Sequence, residues 1–174
     1  MHESDHTAID IRADALTERM RGVAAHGNTP FDVPYMSHIK GNLWLGGCVD
    51  GLELPEQVEH LISLYPWEQY MMRHMPSSVL AVPLYDEGGE VPTAKIDSIS
   101  RWVHERMQEG VTLVHCQAGL NRSSLVAAAA LMRTGMSAEE AIDLIREKRS
   151  PACLCNKSFE GWLLGYEDMG TYKP

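Results

Sequence analysis

Val111-Thr112-Leu113-Val114-His115-Cys116-Gln117-Ala118-Gly119-Leu120-Asn121-Arg122-Ser123 runs from a short β-branched stretch into a loop with a cysteine and an arginine at its two ends. The residues before Cys116 read as a buried strand. Those that follow, Ser124 to Met132, are alanine-rich and have high helix propensity. The loop therefore joins a strand end to a helix N-terminus, where unpaired backbone N–H groups and the helix dipole favour an anion. A phosphate suits that position, with Cys116 facing its phosphorus.

Each residue type has a chemical reason. A thiolate, not a thiol, is the nucleophile, and inward N–H dipoles, a helix N-terminus and Arg122 all favour it. The same donors, spread over Gln117, Ala118, Gly119, Leu120, Asn121 and Arg122, suit the non-bridging oxygens of a phosphoryl group. Arg122 can grip two of those oxygens at once with its planar fork. Gly119 allows a turn that a Cβ would strain. The Ser123 hydroxyl can donate to the sulfur when it leaves. His115 reads as a residue that shapes the loop, not as a general base.

A leaving alkoxide or phenoxide needs a proton, and a positioned carboxylic acid typically contributes about 10²–10⁴-fold. Asp86 lies in Asp86-Glu87-Gly88-Gly89, after the strand-like Val79–Val82. Glu87 is the adjacent alternative. The cysteines Cys48, Cys153 and Cys155 lack the paired spacing of a metal site, and no metal or other cofactor is expected.

Outward from the loop, elements alternate. Strands are expected at Leu43–Leu45, at about 60–64 and at Val79–Val82. Helices are expected from Ala94 to about Glu109 with Thr93 as cap, from Ser124 to Arg133, from a Ser137–Glu140 capping box to about Lys148, and from Lys157 to Glu167. Ile11, Leu16, Met20 and Val23 have helical spacing, so residues 1–30 read as an extension carrying one helix, ahead of a domain at 31–174. Arg146, Lys148 and Arg149 read as a solvated helix end. Strands alternating with helices imply an α/β fold, with a central, largely parallel twisted sheet flanked by helices.

The chain has 174 residues, 44% of them hydrophobic, and a net charge of −9. That length suits one ordinary core, and the acidity argues against nucleic acid or an anionic membrane as partner. The longest apolar run is too short to span a bilayer, and the polar start lacks an apolar signal segment. Four cysteines at irregular spacing suit a reducing compartment, so a cytoplasmic location is expected.

These residues resemble the Cys-x5-Arg phosphatases, and within them the dual-specificity branch of the protein tyrosine phosphatase superfamily. Ile39 to Gly47 looks like that branch's opening strand, Val79 to Asp86 like the strand and loop that deliver its acid, and Arg149-Ser150-Pro151 with Asn156-Lys157-Ser158-Phe159 like its Arg-x-x-x-x-Pro-Asn-x-x-Phe segment with drifted spacing. The resemblance, over about residues 35–166, implies a protein tyrosine phosphatase-like fold. It also implies a phosphomonoester hydrolase acting through phosphocysteine on phosphotyrosine and phosphoserine/threonine in proteins. The alternatives are the same chemistry on a non-protein phosphate (an RNA 5′ end, an inositol lipid or a sugar) or a phospho-binding module. Inositide-directed relatives tend to carry lysines where Gln117 and Leu120 are neutral. Asn121 replaces a common serine and is similar to RNA 5′-triphosphatase relatives. Pure binders usually lose the cysteine. No segment between Ile39 and Val58 matches the pocket-deepening loop of tyrosine-specific relatives, which implies a shallow cleft.

Overall fold

A computed structural model of the chain describes residues 10–168. Its strands are β1 (Arg12–Asp14), β2 (Arg19–Ala24), β3 (Thr29–Pro34), β4 (Met36–Lys40), β5 (Leu43–Gly47), β6 (His60–Ser63), β7 (Ser78–Ala81) and β8 (Thr112–Cys116). Its helices are α1 (Thr93–Glu109), α2 (Arg122–Met132), α3 (Ala138–Lys148) and α4 (Lys157–Asp168).

The main sheet has the order β4-β5-β8-β6-β7, with β5, β8, β6 and β7 mutually parallel and β4 antiparallel at one edge. All five residues of β8 are buried, as a central strand of a parallel sheet requires. The pleat divides the core. Leu43, Leu45, Ile62 and Val114 face the larger cluster, where the apolar sides of all four helices gather. Leu61 and Leu113 face the other way, onto Cys48, Leu54, Val58 and Tyr70. Every residue of α2 is buried, and α2 packs on α1, α3, α4, β5 and β8. Its run of Ala127 to Ala130 follows from that position, since longer side chains would not fit between so many neighbours.

The N-terminal segment corrects an expectation. Residues 12–34 form a three-stranded antiparallel sheet, β1-β2-β3, whereas the spacing predicts a helix over about residues 9–25 that Gly27-Asn28, Pro30 and Pro34 end. Two tight turns stop a helix there: Glu18 has φ 53°, and Gly27 and Asn28 have φ 71° and 48°. Leu16, one residue of the apparent stripe, is 97% exposed in the first turn. Met20, Phe31 and Val33 instead join the main core from β2 and β3. Gly22 is needed where the chain passes closest to itself, because a Cβ there would lie 2.2 Å from the Asp10 carbonyl oxygen. Residues 1–9 lie outside the described residues.

Two smaller expectations also change. Thr93 opens α1 instead of capping it. Pro92 occupies the cap position, and the Thr93 hydroxyl accepts from Trp162 Nε1 at 2.9 Å. Helix α2 begins at Arg122, two residues before Ser124, which puts Arg122 and Ser123 in its first turn. The Ser137 capping box is present, with Glu140 N–H donating to Ser137 Oγ at 3.1 Å and Ser137 N–H to Glu140 Oε2 at 2.9 Å.

Candidate active site

Residues 116–122 connect the end of β8 to the start of α2. Four successive carbonyls of this loop are tied to surrounding chain. Gln117 O accepts from Cys48 N–H at 2.9 Å, and Leu120 O from Leu154 N–H at 2.9 Å. Ala118 O and Gly119 O accept from Arg149, at 2.9 Å from Nη2 and 2.7 Å from Nε. In a trans peptide the N–H points opposite to its C=O. Holding these carbonyls outward therefore turns the N–H groups of residues 118–121 to the loop's inner side, a nest suited to an anion. Gly119 supplies the left-handed turn at φ 70°, and a Cβ there would lie 2.6 Å from both Gly46 O and Arg149 Nη2.

Arg149 thus departs from the expectation of a solvated helix end. It is 7% exposed, and its Nη1 also donates to Pro34 O and Ser37 Oγ, each at 3.0 Å. Burial draws its pKa below the ordinary value, yet a guanidinium remains charged. Arg146 is likewise engaged, donating to Cys153 O at 3.0 Å and to Glu160.

Cys116 is fully buried, and its Sγ lies 3.3 Å from Ser123 Oγ. Arg122 is fully buried as well, with Nη1 donating to Leu84 O at 3.2 Å and its guanidinium carbon 4.7 Å above the Tyr65 ring. A cation on an aromatic face is held there electrostatically. The Tyr65 ring meets Trp67 edge-on at 4.9 Å, and Trp67 lies 6.2 Å from Tyr85. His115 is 1% exposed; its Nδ1–H donates to Cys116 O at 3.3 Å, a carbonyl being able only to accept. Burial pushes its pKa down to about 4, so the ring is neutral near pH 7.

Asp86 and Glu87 separate cleanly: Asp86 turns inward at 3% exposure, and Glu87 faces solvent. Asp86 Oδ2 accepts from Asn121 Nδ2 at 3.1 Å, and Oδ1 from Asn156 Nδ2 at 2.8 Å. His26 Nε2, from the turn between β2 and β3, lies 3.1 Å from Oδ1 and 3.1 Å from the Asp86 backbone oxygen. The Asn121 side chain is thereby spent on structure, its Oδ1 accepting from Asn156 N–H at 3.0 Å. It braces the loop against the Asp86 loop.

The structure therefore brings Cys116, Arg122, Ser123 and residues 117–121 into one site, and joins Asp86 to it through Asn121. The sequence reading missed the parts played by Arg149, Asn156, Tyr65 and His26. Arg149 and Asn156 stood in the segment quoted for the resemblance; nothing singled out His26, which sits in a turn just past the segment read as helix.

The family model described as "Dual specificity phosphatase, catalytic domain" matches residues 56–169. The human protein named dual specificity protein phosphatase 16 is 38% identical over 93 residues, covering 52% of this chain and 14% of that protein. The mouse dual specificity protein phosphatase 22 is 29% identical over 123 residues, covering 67% of this chain and 66% of that protein. Several curated relatives are thus much longer than this chain. Among solved structures, human DUSP28 is similar at 25% identity and a TM-score of 0.64, covering 76% of this chain and 96% of that one. The human tyrosine phosphatase-like serine/threonine/tyrosine-interacting protein shares the fold at 23% identity and a TM-score of 0.65, covering 78% of this chain and 97% of that one.

Proposed function

Because this chain belongs to the dual specificity phosphatase catalytic-domain family, we propose that it hydrolyses phosphotyrosine and phosphoserine/threonine in proteins through a phosphocysteine at Cys116. The observation that carries this reading is the loop itself: Cys116 Sγ at 3.3 Å from Ser123 Oγ, with successive carbonyls held outward so that the amides face in. In this reading the thiolate attacks phosphorus while the ester oxygen leaves with a proton from Asp86. Water then attacks phosphorus and gives a proton to Asp86. The sulfur departs as thiolate, stabilised by the Ser123 hydroxyl and the start of α2. Arg122 and the amides of residues 118–121 hold the equatorial oxygens through both steps. A thiolate nucleophile and four free cysteines suit a reducing compartment such as the cytoplasm.

Loop neutrality at Gln117 and Leu120 supports recognition centred on one phosphate and not on a polyanion. The Asn121 side chain is occupied by Asp86 and Asn156, so its likeness to RNA-directed relatives no longer favours that substrate. Among the described residues no helix is long and apolar enough to cross a membrane. The test is kcat/KM on matched phosphotyrosine and phosphothreonine peptides, with triphosphorylated RNA and inositides as comparators. Hydrolysis of both peptides is expected. A phosphotyrosine preference above about 10⁴-fold, a scale that requires a dedicated recognition site, or turnover confined to RNA or inositides, would overturn the reading.

A further inference from the structure

Asp86 is surrounded by hydrogen-bond donors. Asn121 and Asn156 each give it an amide N–H, at 3.1 and 2.8 Å. Donors aimed at a carboxylate favour its ionised form. A general acid has the opposite need, since it must keep a proton near neutral pH. Both amides therefore aim donors at the group that must deliver a proton as the ester bond breaks.

His26 adds a titratable donor beside that carboxylate. Its Nε2–H faces both Asp86 Oδ1 and the Asp86 backbone oxygen, each at 3.1 Å, and a backbone carbonyl can only accept. The carboxyl has no exposed surface, whereas the imidazole is 26% exposed. His26 also lines a cleft of about 460 Å³ with Gly88, Arg146, Cys155, Asn156 and Lys157, so it reaches solvent where Asp86 does not. We propose that His26 is a positioning residue for Asp86, and that imidazole and carboxyl together hold the single proton given to the leaving oxygen. The inference rests on Asp86 being the acid of the reading above.

The proton count closes over a turnover. As the Sγ–P bond forms and the P–O ester bond breaks, the leaving oxygen keeps the bonding pair and takes the proton from Asp86. Carboxylate and neutral imidazole remain. Water then forms its bond to phosphorus, the P–S bond breaks with its electrons returning to sulfur, and the proton of water restores the pair. No other reactant is needed.

The groups facing the pair permit this. The hydrogen bond to Asp86, the largest cause, raises the His26 pKa above its ordinary 6.5 against an opposing effect of burial. Cys155 is pushed up by burial and stays a neutral thiol. Arg146 is paired with Glu160, and the Lys157 side chain is 80% exposed, where solvent screens it. Asn121 and Asn156 do not titrate. His26 precedes the matched family segment of residues 56–169.

The experiment is the pH dependence of kcat/KM for a phenyl or alkyl phosphate with a poor leaving group, beside an activated aryl phosphate. For the wild type, the descending limb for the poor leaving group should lie above pH 6.5. For His26→Gln it should move to lower pH, with about a tenfold loss at pH 7.5 for each unit of displacement, while the activated ester at that pH is unaffected. A limb that stays in place, or moves to higher pH because His26 only depresses the Asp86 pKa, overturns the proposal. NMR titration of His26 needs no change at position 26: its pKa should fall in Asp86→Asn, and an unchanged value overturns the proposal equally. Asp86→Asn also separates the two claims. If it slows poor leaving groups about 10²-fold while His26→Gln changes nothing, Asp86 remains the acid and the shared proton is refuted. If Asp86→Asn is silent, the acid assignment fails and the pair with it.

Discussion

His115 sits beside Cys116 as a neutral imidazole, its pKa held down to about 4 by burial. An unfolded chain would titrate it near 6.5. Protonation therefore favours the unfolded state, and the stability associated with the neutral ring is complete above pH 6.5 and lost as pH falls through about 4. The size is about 3 kcal/mol. His26 has the opposite sign: its raised pKa adds stability below pH 6.5 that fades as pH rises through the folded value. Denaturant unfolding of wild type and His115→Asn at pH 7.5 and 4.5 should show a flatter decline in the variant, which keeps an N–H donor for Cys116 O. Equal slopes would mean the ring is not buried neutral. At this scale the candidate side chains Cys116, Arg122, Ser123 and Asp86 were singled out because they sit at a strand end, in a loop or at the start of a helix, with few other uses for such residues. Arg149 was not: a basic residue at the end of a helix reads as solvated, and only the tertiary fold shows it 7% exposed with two loop carbonyls on its guanidinium.

Among elements, the strand–loop–helix unit from Thr112 to Met132 depends on a single backbone requirement. Gly119 combines φ 70° with contacts at 2.6 Å that a Cβ would meet, and one of them is backbone that cannot move aside. Gly119→Ala should cost about 1–3 kcal/mol of strain and, by turning loop amides off the phosphate, lower kcat by about 10²-fold or more. Thermal unfolding together with kcat measures both; a variant with wild-type kcat would show that the loop tolerates another path. The four parallel strands of the main sheet were readable because such strands are apolar runs, and helices carry their caps locally, as Ser137 and Glu140 do; the antiparallel edge strand β4 was not expected. Neither was the N-terminal sheet. Ile11, Leu16, Met20 and Val23 satisfy helical spacing by accident, whereas the decision between helix and hairpin lies in turns at Glu18 and at Gly27-Asn28 and in the packing of Met20 and Phe31. Glutamate at positive φ leaves no mark in sequence.

Across the whole molecule, Arg149 links three regions: the end of β3 through Pro34 O, the start of β4 through Ser37, and the loop at Ala118 and Gly119. The Asp86 loop is tied in turn to the β2–β3 turn by His26 and to the residues before α4 by Asn156. The proposed nucleophile and acid thus lie at opposite ends of a network whose members are far apart in the chain, and only the first was strongly marked in the sequence. The central claim is that this network serves a covalent transfer through Cys116. Rapid acid quench of the wild type during turnover of a labelled aryl phosphate tests it most directly. The account predicts label on Cys116 alone, formed at least as fast as product is released and absent from Cys116→Ser, which should not turn over. Label on another residue, turnover without labelled protein, or hydrolysis by Cys116→Ser at the wild-type rate would contradict it.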